Sequence, residues 1–247
     1  MKRIEKYDKD IRIETFYYSN GNISGVFYIK NSNNLYHRED GPAVIEYYYD
    51  GQKSDEHWYK DGKYCREDGP AYIKYSKNGQ ILEKHYYKNS KIHKDNGPAV
   101  AYYNENGSIK IELHYINGKL HREDGPSKIY YYENNIIRSE WYYINGELSR
   151  KDGPVIIRYN ENGSKCSEEY YTNEKLHNKI DPAVIYYYEN GQKKLERWYY
   201  NEFFHNLNGP AEIYYEEDGK IINKKYYANG ESMDELQIEV LKSLKNK

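Results

Sequence analysis

The sequence lacks several features, and each absence excludes a class of protein. It contains no run of about 18 apolar residues, so we expect no transmembrane helix. The first ten residues, MKRIEKYDKD, have no apolar core and do not predict a secretory signal. Its two cysteines, Cys65 and Cys166, lie far apart in the chain. We therefore expect free thiols in a reducing compartment, which favours a cytoplasmic location.

An excess of charge of either sign is also missing. The 37 basic and 39 acidic residues give a net charge of −2, so we predict no nucleic-acid partner. With 38% hydrophobic and 31% charged residues, the composition approaches that of disordered chains. Disordered chains are poor in aromatic residues, however, whereas this chain has 34 tyrosines that recur at fixed places. We therefore expect an ordered fold in which tyrosines supply much of the apolar surface.

The few prolines mark a repeat. Each is 28 residues from the next, at Pro42, Pro70, Pro98, Pro126, Pro154, Pro182 and Pro210. A fixed period of this length indicates a repeat architecture of stacked supersecondary units. We count seven units and one partial leading copy that begins near Phe16.

Aligning the units on their prolines predicts two strands in each. Tyrosine stands five places after every proline, at Tyr47, Tyr75, Tyr103, Tyr131, Tyr159, Tyr187 and Tyr215. Isoleucine stands three places after six of the seven, so the two columns share one face of a strand. Asn-Gly or Asp-Gly follows, as at Asp50-Gly51, and predicts a hairpin turn. A second strand then ends in paired aromatics such as Trp58-Tyr59, before a second turn such as Asn117-Gly118.

These patterns predict an all-β fold with about fifteen antiparallel strands. We expect one elongated, coiled antiparallel sheet of about seven to eight β-hairpin repeats, because strand twist accumulates along a long sheet. The predicted organisation is an N-terminal cap or first strand over 1–15, tandem repeats over 16–230 and an amphipathic helix over 231–247.

The C-terminal segment changes period and predicts the helix. Ser232 and Glu235 have the spacing of a capping box, which places the helix start near Met233. We expect an apolar stripe of Leu236, Val240 and Leu244 with Leu241 beside it, and Lys242, Lys245 and Lys247 near the C-terminal end of the dipole. The helix is interpreted either as a cap over the last strand or as a surface for dimerisation or partner binding.

The repeat resembles a known family. The segment GQKSDEHWYKDGKYCREDGP (51–70) is similar to a MORN repeat, with a strand that ends in aromatics and a turn that contains glycine. The resemblance extends over about Phe16–Gly230, and HREDGP takes the place of the family's glycine-rich turn. It implies a solenoid of hairpins with a binding or scaffold role, sometimes at acidic lipid surfaces. Tandem HREDGP units are familiar from large DNA viruses and phages, which implies the host cytoplasm if the protein is viral.

The motif HREDGP itself has the residue types of an active site. It recurs with the repeat, as at His37–Pro42 and His121–Pro126, whereas a catalytic site is a single constellation. We interpret it as a structural loop in which Asp and Pro shape a turn, and expect Arg122 and Glu123 to pair with the next unit's loop. Histidines of successive units should lie about 10 Å apart, too far to share a zinc ion. We therefore predict no catalytic residues, no cofactor, no metal and no enzymatic activity.

The repeat changes in units five and six, and we place a partner site there. HREDG becomes HNKID at 177–181 and HNLNG at 205–209, and two of the four phenylalanines follow the turn at Asn201-Glu202. The candidate residues are Ile180, Phe203, Phe204 and Leu207. Repeat decay, with these side chains packed on one another or under the helix, is the competing interpretation. The predicted function is a non-enzymatic scaffold for a protein partner. A homodimer through the helix or a sheet edge, lipid binding and inhibition of a partner enzyme remain alternatives.

Overall fold

The computed structural model describes residues 2–178 and 180–245, which form two compact units. Unit 1 comprises 1–120 and 133–135, and unit 2 comprises 121–132 and 136–247. Lys247, which we predicted near the helix C-terminus, lies outside the described residues.

Unit 1 is an open antiparallel sheet flanked by short hairpins. Its strands are β1 (Lys2–Asp8), β2 (Ile11–Tyr17), β3 (Ile23–Lys30), β4 (Leu35–Tyr36), β5 (Val44–Tyr47), β6 (Lys53–His57), β7 (Tyr59–Lys60), β8 (Lys63–Tyr64), β9 (Tyr72–Tyr75), β10 (Ile81–His85), β11 (Tyr87–Lys88), β12 (Lys91–Ile92), β13 (Val100–Tyr103), β14 (Ile109–Leu113), β15 (Tyr115–Ile116) and β16 (Lys119–Leu120). The sheet order is β1-β2-β3-β5-β6-β9-β10-β13-β14. The N-terminal region therefore has two strands, where we predicted one.

Unit 2 repeats this plan and adds the helix. Its strands are β17 (Lys128–Tyr131), β18 (Ile137–Trp141), β19 (Tyr143–Ile144), β20 (Glu147–Leu148), β21 (Ile156–Tyr159), β22 (Lys165–Glu169), β23 (Tyr171–Thr172), β24 (Lys175–Leu176), β25 (Val184–Tyr187), β26 (Lys193–Arg197), β27 (Tyr199–Tyr200), β28 (Phe203–Phe204), β29 (Glu212–Tyr215), β30 (Ile221–Ala228) and β31 (Glu231–Met233), followed by α1 (Glu235–Lys245). The sheet order is β17-β18-β21-β22-β25-β26-β29-β30-β31. The prediction of an all-β hairpin-repeat fold with a short C-terminal helix is confirmed.

The second strand ends earlier than we predicted in the first six repeats, whereas in the last repeat β30 runs through Tyr226 and Tyr227 as predicted. β6 stops at His57, so the paired aromatics do not end one strand. Trp58 lies outside the strand, where its N–H donates to Ala71 O (2.8 Å) and its carbonyl accepts from Cys65 N–H (3.0 Å). Tyr59 then begins a separate two-residue hairpin, β7–β8. Such minor hairpins recur as β11–β12, β15–β16, β19–β20, β23–β24 and β27–β28.

The two turns of each unit differ in geometry. In the first, Gly51 has φ of 90° while Asp50 stays outside the left-handed region and accepts a hydrogen bond from Gln52 N–H (3.1 Å). A register shift between Glu46 and Tyr47 accompanies it, so this is a bulged hairpin in which only glycine takes positive φ. In the minor hairpin Asn117 and Gly118 have φ of 52° and 82°, which is typical of a type I′ turn.

A column of small residues forms the tightest part of the core. These residues follow the prolines directly and are at most 2% exposed: Ala43, Ala71, Ala99, Ser127, Val155, Ala183 and Ala211. Their N–H groups bond across to the neighbouring strand, as in Ala71 N–H to His85 O at 2.8 Å. Close packing of this kind leaves no room for a larger side chain.

Buried glutamates lie beside the isoleucine column, a feature that sequence reasoning missed. Glu168 is 7% exposed, accepts a hydrogen bond from Tyr187 Oη (2.6 Å) and pairs with Lys165. Burial, and then this hydrogen bond, raises the pKa of Tyr187. The same tyrosine-to-glutamate bond joins Tyr75–Glu56, Tyr159–Glu140 and Tyr215–Glu196. In these four repeats the tyrosine five places after the proline packs its ring while its hydroxyl satisfies a glutamate carboxylate.

The helix begins later and faces differently than predicted. Ser232 belongs to β31, and the capping box is formed instead by Asp234 and Gln237, which exchange hydrogen bonds of 2.8 and 2.9 Å. Ile238, at 3% exposure, is the buried residue of α1, which packs on β30. The predicted stripe is exposed, at 69% for Leu236, 52% for Val240 and 62% for Leu244. β31, which pairs with β30, contains Ser232 and Met233, where we predicted the cap and the start of the helix.

Candidate binding groove

Each HREDGP loop is held by its basic residue. The Arg66 guanidinium lies 4.1 Å from the centre of the Trp58 ring and donates to Asp68 Oδ1 (2.9 Å) and Pro70 O (3.3 Å). The same guanidinium holds the pKa of the Asp68 carboxyl below its usual range. A cation covers an aromatic ring in the same way in Arg38 over Tyr28, Lys94 over Tyr86 and Arg150 over Tyr142. The cluster that resembles an active site is a clamp that closes the loop over an aromatic side chain.

The charged residues of the loop pair mainly within it. Arg122 Nε donates to Asp124 Oδ1 (2.9 Å), and Glu123 Oε1 lies 3.8 Å from His121 Nε2. We predicted that Arg122 and Glu123 pair with the next repeat's loop; the two contacts described here, at 2.9 and 3.8 Å, lie within their own loop. The acidic residue does reach the next minor hairpin in one sister loop, where Glu39 lies 2.8 Å from Lys60 Nζ.

The histidine of the loop ties it to the next minor hairpin. Its Nδ1 accepts the backbone N–H of the turn residue 24 positions on, at 3.0–3.1 Å, in the pairs His37–Asp61, His93–Asn117, His121–Asn145 and His205–Asn229. The column therefore joins successive repeats. In the described part of the chain, no group of three His, Cys, Asp or Glu residues is placed to hold a metal ion.

Sequence repeats five and six, whose loops are 177–181 and 205–209, lack the cation of the clamp. Asn178 and Asn206 stand where the other loops have arginine or lysine. Asn206 Nδ2 keeps the bond to Pro210 O (2.9 Å), so the loop retains its shape. The aromatic residue below it is Trp198, and among the described residues no lysine or arginine lies over its ring. The loop is closed by a hydrogen bond, and no described lysine or arginine lies over the half-buried indole.

A groove of about 1180 Å³ opens at this place in unit 2. Apolar side chains from both altered loops and from α1 line it: Ile180, Trp198, Tyr199, Tyr200, Leu207, Leu241 and Leu244. Ile180 is 86% exposed and Tyr200 50% exposed. None of its described lining residues is Asp, Glu, Lys or Arg. Large exposed apolar side chains gathered in a concave site are typical of an interaction surface.

One wall of the groove contains an unsatisfied polar group. His177 is 8% exposed, and its Nδ1 is the one buried side-chain nitrogen or oxygen among the described residues without a hydrogen-bond partner. In the sister loops this atom accepts a turn N–H, for which Asn201 would be the equivalent here. A buried polar group without a partner costs about 1–3 kcal/mol. The contact between repeats five and six therefore lacks the histidine tie found in four other repeats.

The structure places two of the four residues that we predicted for the partner site in the groove and two outside it. Ile180 and Leu207 both line the groove, whereas Phe203 and Phe204 do not. Phe204 is stacked between Tyr199 (ring centroids 4.5 Å apart) and Tyr227 (5.2 Å), so it belongs to the packing of the minor hairpins. Phe203 is 60% exposed. Strand alternation puts neighbouring residues on opposite faces, which separates the two phenylalanines.

Tyr200, Trp198 and the leucines of α1 were missed by sequence reasoning. Tyr200 stands ten places before its proline, where the first two sequence repeats have Lys60 and Lys88. This change from lysine to tyrosine could have indicated the groove. The contribution of Leu241 and Leu244 depends on how α1 lies on the last hairpin, which no local pattern reveals.

Unit 1 has a charged groove at the corresponding positions. Its volume is about 880 Å³, and eight of its lining residues are charged: Lys60, Lys63, Arg66, Glu67, Asp68, Lys88, Lys94 and Asp95. Cys65, which replaces the histidine, also lines it, and both cysteines are free thiols.

Comparison with known proteins adds no relative to these observations. No model of a known family matches the chain, and no curated protein matches its sequence. Among the described residues, no helix has the length and apolar character needed to cross a membrane. The fold and the groove therefore define the class: a β-hairpin repeat protein with one neutral, apolar groove.

Proposed function

We propose that this chain is a non-enzymatic repeat module that binds another protein in the neutral groove of unit 2. The observation that carries the proposal is that Trp198 lines the groove with no described cation over its ring, beside the exposed Ile180, at the place where other repeats have a closed ionic clamp. An aromatic residue and aliphatic neighbours in a concave site have the composition of a binding hot spot.

The rest of the molecule agrees with a scaffold role. The repeated clamp and the histidine ties use the residues that might otherwise suggest catalysis, so these side chains are accounted for by structure. The resemblance of the repeat to MORN units, whose members serve in binding and scaffolding, supports the same function.

The test compares partner recovery by three baits from the native cell extract. The groove variant is Ile180→Asp with Leu207→Asp, and the matched control is Phe203→Ser, an exposed apolar residue outside the groove. We expect the wild type and the control to retain a partner that the groove variant loses. The purified partner should then bind the groove variant at least tenfold more weakly. Equal binding by all three proteins would refute the proposal.

A further inference from the structure

The ligand chemistry of the groove can be narrowed, on the basis of the proposed binding function. Four asparagines line it with side chains that make no hydrogen bond to other described residues: Asn173, Asn201, Asn208 and Asn229. A carboxamide both donates and accepts, which matches the donors and acceptors of a peptide backbone. The aliphatic side chains of Ile180, Leu207 and Leu241 require apolar groups opposite them, which a sugar does not supply.

The absence of charge restricts the ligand further. A charged side chain placed in this groove would lose water without meeting an opposite charge among the described lining residues. The corresponding groove of unit 1, with eight charged residues, would accept such a ligand. Electrostatic complementarity therefore selects an uncharged segment for unit 2.

The distance between successive repeats of the protein favours one backbone conformation of the bound segment. Asn173, Asn201 and Asn229 occupy the same turn position in successive units. The ring centroids of Tyr199 and Phe204 lie 4.5 Å apart, and those of Phe204 and Tyr227 lie 5.2 Å apart. The distance from one repeat to the next is therefore about 9–10 Å, or two strand spacings. A polyproline II helix rises about 3.1 Å per residue and returns to the same face every third residue, after about 9.3 Å. A β-strand repeats its face after about 6.6 Å and does not match.

The aromatic residue fits the same ligand. Polyproline II segments dock on exposed aromatic rings, and their carbonyl groups are free to accept hydrogen bonds. Trp198 offers a ring that the arginine or lysine covers elsewhere, and Tyr200 lies beside it, half exposed. The ligand would replace the missing cation of the clamp.

We propose that the neutral groove binds an uncharged polyproline II segment that carries an apolar side chain at every third residue. Successive apolar side chains of the segment pack against successive repeats of the protein, one against Trp198 and another against Ile180. The asparagine carboxamides hold the backbone of the segment between these contacts.

The test uses the synthetic nonapeptide acetyl-(Pro-Pro-Leu)₃-amide and the full chain. Binding is followed by calorimetry and by the NMR signal of the Trp198 indole N–H. We expect a saturable shift of this signal, with smaller changes at the indoles of Trp58 and Trp141. Two peptides control the chemistry: one with the same composition but three adjacent leucines, and one with glutamate in place of each leucine. Both should bind at least fivefold more weakly.

The matched protein variant is Asn206→Arg, which restores the residue of four sister loops and should cover Trp198. We expect at least a tenfold loss of affinity for the peptide. Absence of a saturable shift at millimolar peptide, or equal binding of the control peptides, overturns the proposal. So does a Trp198 shift produced by cellopentaose but not by the peptide, which would indicate a sugar site.

Failure of this inference is distinguishable from failure of the binding function. If the Ile180→Asp, Leu207→Asp bait loses a partner while the peptide does not bind, the groove binds a protein of other chemistry. If that bait keeps every partner, the binding function itself is refuted.

Discussion

The two grooves occupy the same positions of the repeat and differ in what closes the loop. In unit 1, Lys94 lies over Tyr86 and Arg66 is paired with Asp68, so the groove is lined by paired charges. In unit 2, Asn206 holds the loop by one hydrogen bond, and no described cation lies over Trp198. The backbone of the loop therefore does not depend on the ion pair, and the basic residue of the clamp is replaceable.

If the cores of unit 1 and unit 2 are packed in the same way, a larger side chain in the column of small residues should destabilise both units equally. Ala71 and Ala183 are both 0% exposed, one in each unit. We expect Ala71→Leu and Ala183→Leu each to lower the free energy of unfolding by about 1–3 kcal/mol or more. Urea unfolding with 5-fluorotryptophan at Trp58 and Trp198 reports the units separately. Tolerance of one substitution but not the other would show that the scaffolds differ.

Alkaline pH should weaken both units next. In the column five places after each proline, the described residues include three tyrosine–glutamate bonds in unit 2, at Tyr159, Tyr187 and Tyr215, and one in unit 1, at Tyr75. Burial and then the glutamate raise the pKa of each tyrosine, so the native state favours the neutral phenol. This stabilisation is complete below about pH 10, the pKa of an unfolded tyrosine, and is lost as pH rises further.

We therefore expect both units to lose stability above pH 10, and the loss in unit 2 to be smaller in Tyr187→Phe than in the wild type, measured by the same fluorine signals. At neutral pH, Tyr187→Phe should cost about 1–3 kcal/mol, because Glu168 loses its hydroxyl donor. Tyr200→Phe is the control, since Tyr200 has no such carboxylate bond in the described structure. An unchanged pH profile of unit 2 in Tyr187→Phe would contradict the assigned role of this tyrosine.

Backbone strain offers a smaller contrast. Glu202 has φ of 75° in the minor turn where unit 1 has Gly118 at 82°. A side chain in the left-handed region costs roughly 1 kcal/mol. We expect Glu202→Gly to stabilise unit 2 and Gly118→Glu to destabilise unit 1 by about this amount. A side chain at Gly118 meets Lys91 at an ordinary 3.7 Å, so the effect there is conformational. Thermal unfolding that moves both variants in the same direction would argue against strain.

Exchanging the clamp residues should have the smallest effect on stability. Asn206→Arg is expected to stabilise unit 2 by about 0.5–1 kcal/mol through a cation over Trp198, and Arg66→Asn to destabilise unit 1 similarly. The environment of each indole, followed by its fluorine shift, should change with the substitution in its own unit. If Asn206→Arg leaves the Trp198 signal unchanged, the guanidinium does not cover the ring, and the two loops are not equivalent.

Much of the fold could be predicted because its signals are local. Asp50-Gly51 and the columns after each proline report turns and strand faces within a few residues. The break at Trp58 could not be predicted in this way. Its N–H and carbonyl are bonded to Ala71 and Cys65, and the strand ends because these partners turn the chain into a minor hairpin.

Two of the four predicted site residues line the groove, and their signal is again local in the sequence. Ile180 and Leu207 could be found because they break a column of charged residues, which the sequence displays directly. Phe204 seemed equivalent, yet it stacks between Tyr199 and Tyr227, and this depends on which face of β28 meets the next unit.

The sequence by itself determined the period, the hairpin turns, the all-β class and the place where the repeat departs from its own pattern. These properties follow from proline, glycine and aromatic spacing, which act over a few residues. Only the tertiary structure decided that Glu168 is buried beside Tyr187, that Ile238 faces the sheet and that Trp198 lines the groove. The partners in these contacts come from other strands and loops, and the register between those elements determines which side chains meet.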